Sequence, residues 1–443
     1  MRYAITMVLI IMMMPLSGIV TAENKAVDKD SFRTDSIMES YSMPVKIAFD
    51  RVSNLESYTT EELNHSREWL VVTSIPISEH AMTHSKPISS KETGILPGSF
   101  VWELEDGAKS VERLSQALTI GEIESFSPLL ERIHHERYLP NDPELSSQWH
   151  LDNYGQTGGV SGEDANLTGA WDYYNGSGVV ISIVDDGLDI SHPDISPNYD
   201  QSASYDWCND DSDPTPISFD GHGTAAAGVA GAAGNNSLYV SGAAYGASIA
   251  GSNLISCSTS DYLESQALSY ENDYVDIYSN SWGPTDDGQR LAAPGPLMTA
   301  AFESDAYQGR DGLGNIITWA AGNGLTSDDD SNYDGYANSR FTIAVTAITH
   351  LGEQSYYAEP GANILVAAHS NGDGESITTT DIVGSGGYNS SGNITDSFGG
   401  TSSATPLASG VIALMLEANQ NLTWRDVQHI LVNSARMNNQ SDP

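Results

Sequence analysis

From residue 141 onward, five short and nearly continuous apolar runs, 178–184, 247–255, 275–279, 315–319 and 341–347, alternate with helical stretches at 223–233, 261–270 and 296–308. A strand that is apolar at every position has no face for solvent, so it must be covered on both sides. The intervening helices supply that cover, and the pattern predicts an α/β fold with a mostly parallel sheet flanked by helices. Open sheets of this kind place their sites at the carboxyl ends of strands. The chemistry is therefore sought directly after each run.

Asp185 closes the first run in Ile183-Val184-Asp185-Asp186-Gly187, and His222 stands in Asp220-Gly221-His222-Gly223-Thr224, opening a small-residue helix. Asn323 follows the run ending at Trp319, in Ala320-Ala321-Gly322-Asn323-Gly324. A last stretch, Phe398-Gly399-Gly400-Thr401-Ser402-Ser403-Ala404-Thr405-Pro406, leads into an apolar run ending at Asn419. It reads as a loop entering a buried helix, with Pro406 suited to the first turn. Ser402 then sits where unpaired N–H groups and the positive end of the helix dipole favour negative charge. Ser/Thr-rich helix starts are commonly only caps. Asp, His and Ser at independent strand ends and helix starts are, however, what nucleophilic acyl transfer requires. Serine needs an imidazole to take its proton, and the imidazole needs a carboxylate to fix its tautomer.

Acidic residues outnumber basic ones by 59 to 18 in this chain of 443, a formal charge of −41. Such a surface repels phosphate backbones and anionic lipid, which argues against nucleic-acid or membrane-surface binding, and it attracts cations and Lys/Arg-rich peptides. Residues 1–22 carry Arg2, an apolar core and a small-residue end, the pattern of a secretory signal; the apolar run is too short to span a bilayer. A secreted or periplasmic protein, not held in a membrane after signal removal, is expected. Residues 23–137 hold most of the scarce basic residues. Strands at 68–73, 99–104 and 123–129 and a helix at 110–118 suggest a small α+β unit with a basic exit at 131–137, suited to a removable pro-segment. Residues 138–443 are expected to form the catalytic domain. Cys208 and Cys257 are compatible with one disulfide or with two inert thiols.

Through Asp185-Asp186-Gly187, Gly221-His222-Gly223-Thr224 and Gly400-Thr401-Ser402 the sequence resembles the subtilisin-like serine proteases. Within them it resembles the kexin/furin branch, through Asp185-Asp186-Gly187-Leu188, His192-Pro193-Asp194, Tyr278-Ser279-Asn280-Ser281-Trp282-Gly283-Pro284, Asp286-Asp287-Gly288, Asn332-Tyr333-Asp334-Gly335-Tyr336 and 422–429. The resemblance implies a subtilisin-like sheet, Ser402 as nucleophile, His222 as general base and then acid, Asp185 as the orienting carboxylate and Asn323 as oxyanion donor. It implies that Asp286 and Asp334 receive the arginine before the cut, Asp186 a Lys or Arg one residue further back, and Glu264 and Tyr336 a more distant basic residue. Another acidic position of that distant site corresponds to Ala292.

Calcium is implied at three places: Asp142, Asp194 and Asn236; Asp329 and Glu359 with Asp286; and Asp206, Asp211 and Asp213. The last group's spacing is suggestive by itself, because hard cations take clustered oxygens on irregular backbone. The family's cysteine after the His-Gly-Thr motif is Ala226 here, so Cys208 and Cys257 are not the family's bridges and their pairing is open. The branch carries a β-rich domain after the catalytic one, whereas this sequence stops at Pro443, so that portion is expected to be missing. The expectation is a monomeric, secreted, calcium-dependent endopeptidase acting on polypeptides at basic, preferably paired basic, residues, with its own pro-segment as intramolecular inhibitor and chaperone. The rivals are a broad-specificity nutrient protease and a catalytically silent calcium- or peptide-binding homologue.

Overall fold

The computed structural model describes residues 36–74, 87–105, 107–130, 138–217, 219–390 and 392–438. The signal read at 1–22 and the basic exit read at 131–137 lie outside the described residues. Packing divides the chain into two units, Met1–His134 and His135–Pro443.

The first unit contains α1 (Met43–Val52), α2 (Thr60–His65), β1 (Glu68–Val72), β2 (Ser89–Glu92), β3 (Ser99–Glu103), α3 (Gly107–Thr119) and β4 (Ser125–Pro128). Its four strands form an antiparallel sheet in the order β2-β3-β1-β4, with Trp69 opposite Trp102. Trp69, Val71, Trp102, Leu104 and Phe126 pack with Leu114 and Ala117 of α3, whose spacing puts them on one helix face. The three strands expected here are present. β2, exposed throughout and reading Ser-Ser-Lys-Glu, has no apolar signal and was not expected.

The second unit is built on seven parallel strands in the order β11-β10-β9-β8-β5-β7-β6. These are β5 (Val180–Asp185), β6 (Tyr205–Asp206), β7 (Ser248–Asn253), β8 (Ile277–Asn280), β9 (Ile316–Ala320), β10 (Thr342–Ile348) and β11 (Ile364–His369). The helices are α4 (His222–Gly231), α5 (Asp261–Leu268), α6 (Pro296–Gln308), α7 (Thr401–Ala418) and α8 (Trp424–Ser434); β12 (Ile377–Thr380) and β13 (Ile394–Phe398) make a separate antiparallel pair.

The near-continuous apolar runs arise because alternate residues serve opposite faces. Ile181, Ile183, Ile277, Ile316, Ile343 and Val345 pack with α4, α7 and α8, while Val180, Val184, Tyr278, Ile317 and Ala344 pack with Ala267 and Leu268 of α5 and Met298 and Phe302 of α6. Cys208 and Cys257 are joined in a disulfide, their Cα atoms 5.7 Å apart across 49 residues of sequence, which closes the question of their pairing. It ties the turn after β6 to the turn after β7.

One expectation is corrected. α7 begins at Thr401, so Pro406 is its sixth residue and lies inside the helix rather than in the first turn. Proline has no N–H to give to the carbonyl four residues back, that of Ser402. This carbonyl instead accepts the Ser281 hydroxyl at 3.1 Å.

Candidate active site

Asp185, the last residue of β5, is fully buried and accepts the His222 Nδ1–H at 2.8 Å. That bond fixes the tautomer, leaving Nε2 as the basic nitrogen. The ring packs edge-on against Phe398, with centroids 5.3 Å apart. Burial by itself would lower the imidazole pKa, but the Asp185 charge, the bond to it and the Asp186 charge together raise it from 6.5 to about 9.

Ser402 is the second residue of α7, in the turn whose N–H groups have no partner within the helix. Its hydroxyl donates to the Ser281 carbonyl at 3.3 Å, so Ser281 holds both oxygens of Ser402. Gly400 enters the helix at φ +74°, and its N–H is held by Asn371 Oδ1 at 2.7 Å. The side-chain oxygen of Asn323 accepts the Thr401 N–H at 2.8 Å and the Thr401 hydroxyl at 3.1 Å. With the oxygen committed, the amide's Nδ2 is the end left to donate. A Cβ placed on Gly400 would lie 3.2 Å from Asn323 Oδ1, 3.5 Å from the Ser402 nitrogen and 3.6 Å from Asn323 Nδ2, so the Asn323 amide lies against the start of α7. An oxyanion formed on an acylated serine is stabilised by N–H donors near the nucleophile, the kind of group the Asn323 amide and the first turn of α7 supply. Ser281 and Asn371 were not singled out from sequence as site residues. Ser281 belongs to the quoted Asn280-Ser281-Trp282 stretch, but Asn371, in a turn after β11, gives no signal.

The residues assigned to substrate are gathered in part. Asp334 lies beside Gly283, where an added Cβ would stand 3.2 Å from its Oδ2; burial, followed by the Asp286 and Asp329 charges, raises its pKa to about 6 against the bonds from the Tyr336 and Ala337 N–H groups. Asp286 accepts the Asn323 N–H at 2.8 Å, which ties it to the residue that also holds the start of α7. Asp186 accepts the N–H groups of His222 at 3.1 Å and Gly223 at 2.7 Å, so its carboxylate caps α4. Burial and the Asp185 charge raise its pKa. Glu264 is buried and accepts the Tyr336 hydroxyl at 2.8 Å and the Thr259 hydroxyl at 2.7 Å. Ala292 is bridged to Asp334 through the backbone.

The calcium assignments separate. Asp286, Asp329 and Glu359 bring carboxylate oxygens within 4.8 Å of one another, and among the described residues no Lys or Arg pairs with them. Burial raises Asp286, and burial followed by the neighbouring carboxylates raises Glu359 to about 7. An added Cβ on Gly324 would lie within 3 Å of all three residues, so the glycine keeps their approach possible. Partly buried like charges without a counterion suit a hard divalent cation. Asp142 and Asp194 are also near one another: Asn236 donates its backbone N–H to Asp142 at 3.1 Å and its side-chain amide to Asp194 at 3.0 Å. Asp206 is turned inward and accepts from Cys208, Asn209 and Asn253, whereas Asp211 and Asp213 are exposed and cap local turns. The structure does not gather these three carboxylates into one cluster.

A family model described as the subtilase family matches residues 176–443. A PC3-like endoprotease, variant B, of Hydra vulgaris is 43% identical over 323 residues, covering 71% of this chain and 44% of that protein. Human furin is 40% identical over 304 residues, covering 67% and 36%. The chain thus spans less than half the length of these relatives. The solved serine protease of Aeromonas sobria superposes with a TM-score of 0.62 at 28% identity, covering 69% of this chain and 60% of that one. No helix among the described residues is long and apolar enough to cross a membrane. With its parallel sheet, its Asp185–His222 pair at the end of β5 and Ser402 at the start of α7, the chain belongs to the subtilase family of subtilisin-like serine proteases.

Proposed function

We propose that this chain is a secreted, calcium-dependent serine endopeptidase that cuts polypeptides after arginine, preferring a second basic residue before it. The observation that carries the reading is the 2.8 Å Asp185–His222 bond at the end of β5, in a chain whose Ser402 opens α7 with the Asn323 amide against that helix start. Ser402 Oγ attacks the scissile carbonyl as His222 Nε2 takes its proton. The resulting oxyanion is held by Asn323 Nδ2 and the Ser402 N–H. Collapse breaks the C–N bond, the proton passing from His222 to the leaving amine, and water then releases the acyl group by the same steps.

Asp334 and Asp286 supply the arginine preference, because a buried guanidinium needs carboxylates that match its fork. Asp286, Asp329 and Glu359 are the residues that would hold calcium, whose charge would offset their carboxylates. The alternative of broader selectivity upstream has support in two contacts. Asp186 is already bonded to α4 and Glu264 to the Tyr336 and Thr259 hydroxyls, so each is partly committed within the chain before a substrate cation arrives. The first unit serves as pro-segment, inhibitor and folding aid, with release near Arg137; export follows from the leader read at 1–22.

Hydrolysis of peptides ending in Arg-Arg, Lys-Arg, Ala-Arg and Ala-Phe, with and without calcium, tests the whole reading. Calcium-dependent cleavage confined to the arginine peptides is expected. Equal cleavage of Ala-Phe assigns broad specificity, and cleavage of none with the chain folded assigns a silent homologue.

A further inference from the structure

The catalytic and pocket residues leave one surface next to His222 unused. Residues 219–221, leading into α4, meet residues 381–387, which follow β12; the Phe219 N–H donates to the Gly386 carbonyl at 2.9 Å. Phe219 is 82% exposed, Ile217 65%, Tyr388 48% and Val383 41%. The Phe398 ring stands between His222, at 5.3 Å, and Tyr388, at 6.0 Å. On a chain of net charge −41, four large apolar side chains on two adjoining loops stand out from their surroundings. Phe219 moreover holds φ +86°, a left-handed backbone unfavourable to a bulky residue, and does so with its ring in solvent. Strain kept beside a reactive group points to a use for the side chain.

The place of these residues defines that use. The Asp286–Asp334 pocket follows β8 and β9, whereas this apolar surface is built from the connection into α4 and the loop preceding the nucleophile. His222 must hand its proton to the leaving amine, so the leaving portion of the substrate passes over the imidazole. We propose that Ile217, Phe219, Val383 and Tyr388 form an apolar lip that receives a large apolar side chain at the first or second position after the cut bond. The inference rests on the endopeptidase reading and adds a preference on the leaving side to the one for arginine before the cut.

The test uses the full chain and internally quenched peptides that share one arginine before the cut and carry Leu, Phe, Gly or Asp after it. A peptidyl-arginine methyl ester, whose leaving group is too small to reach the lip, is the reference. Wild-type kcat/KM should favour Leu or Phe over Gly by about tenfold or more, the usual scale for filling an apolar subsite. In Phe219→Ser/Tyr388→Ser that ratio should collapse toward one, with the loss on the Leu and Phe peptides well above the loss on the ester. Equal rates on Gly, Leu and Phe in the wild type, or a ratio that survives in the double variant, overturns the lip. If arginine proves dispensable, the arginine reading fails while the Leu-to-Gly ratio still decides the lip. In Ser402→Ala the dissociation constants of the same peptides, read by fluorescence anisotropy, give the ratio without turnover.

Discussion

Two carboxylate sites lie at the carboxyl edge of the same sheet, and they are balanced in opposite ways. At the end of β5, Asp185 faces His222 at 2.8 Å, a pair complete within the chain. Past β8, β9 and β10, Asp286, Asp329 and Glu359 face one another without a basic partner among the described residues, and Asp334 lies close by with its pKa raised to about 6. The first site is assembled by folding. The second is left with like charges close together, which on the proposed reading an arginine would offset on one side and a divalent cation on the other. On the proposed reading, the difference separates the groups that would do the chemistry, already paired within the chain, from those that would set selectivity and stability through what they bind.

The self-contained end is where substitution acts hardest. Ser402→Ala should lower kcat on the order of 10⁶-fold, the scale of that change in subtilisin, with an unaltered circular dichroism spectrum. Turnover near wild type would remove Ser402 from the nucleophile's role. Asn323→Ala should cost about a hundred- to a thousandfold in kcat, again the known scale for the corresponding subtilisin donor, with KM little changed. A loss expressed wholly in KM would make Asn323 a binding group only.

The unbalanced end should respond to ligand instead. With calcium at about a hundred times its dissociation constant, linkage gives about 2.7 kcal/mol, or about 5–10 °C in melting temperature for a domain of this size. Chelation should remove that shift from the wild type, and Glu359→Gln should shrink it. A melting temperature indifferent to calcium in both proteins would leave the three carboxylates without a cation.

The two ends were also unequally legible in the sequence. Asp185, His222, Asn323 and Ser402 each close a strand or open a helix in a distinctive local pattern, so their places were legible from the sequence, while their joint role came with the family resemblance. The sheet itself was legible because burial on both faces writes an unbroken apolar run, as in Val180 to Val184. β11 was not foreseen: it is partly covered along Ile364 to Ala367 and closes one side of the sheet. Metal groups are harder to read, because a side chain's hydrogen-bond partners are set by tertiary contacts. Asp206, Asp211 and Asp213 have the spacing of a cation loop, yet Asp206 is consumed by Asn209 and Asn253. The cage of Asp286, Asp329 and Glu359 draws its members from three separate strand ends. Asn371 could not be found at all, since its role is defined only by where Gly400 arrives.

The finest contrast is within the balanced end, between the Asp185 and Asp186 carboxylates. Both raise the His222 pKa, Asp185 through contact and charge and Asp186 through charge alone, against the lowering effect of burial. A general base must be neutral to accept the serine proton, so kcat/KM should climb as pH rises through the His222 pKa, with a midpoint above the ordinary histidine value of about 6.5. Asp186→Asn removes one of the raising charges, so the acidic limb should move to lower pH by about one unit or less. The same change weakens the cap on α4, at a cost of about 1 kcal/mol that a melting curve reads separately. A peptidyl-arginine ester with an uncharged residue before the arginine keeps Asp186 from acting through substrate. If the limb stays where it was while the melting temperature falls, Asp186 serves α4 alone, and the elevated histidine belongs to Asp185.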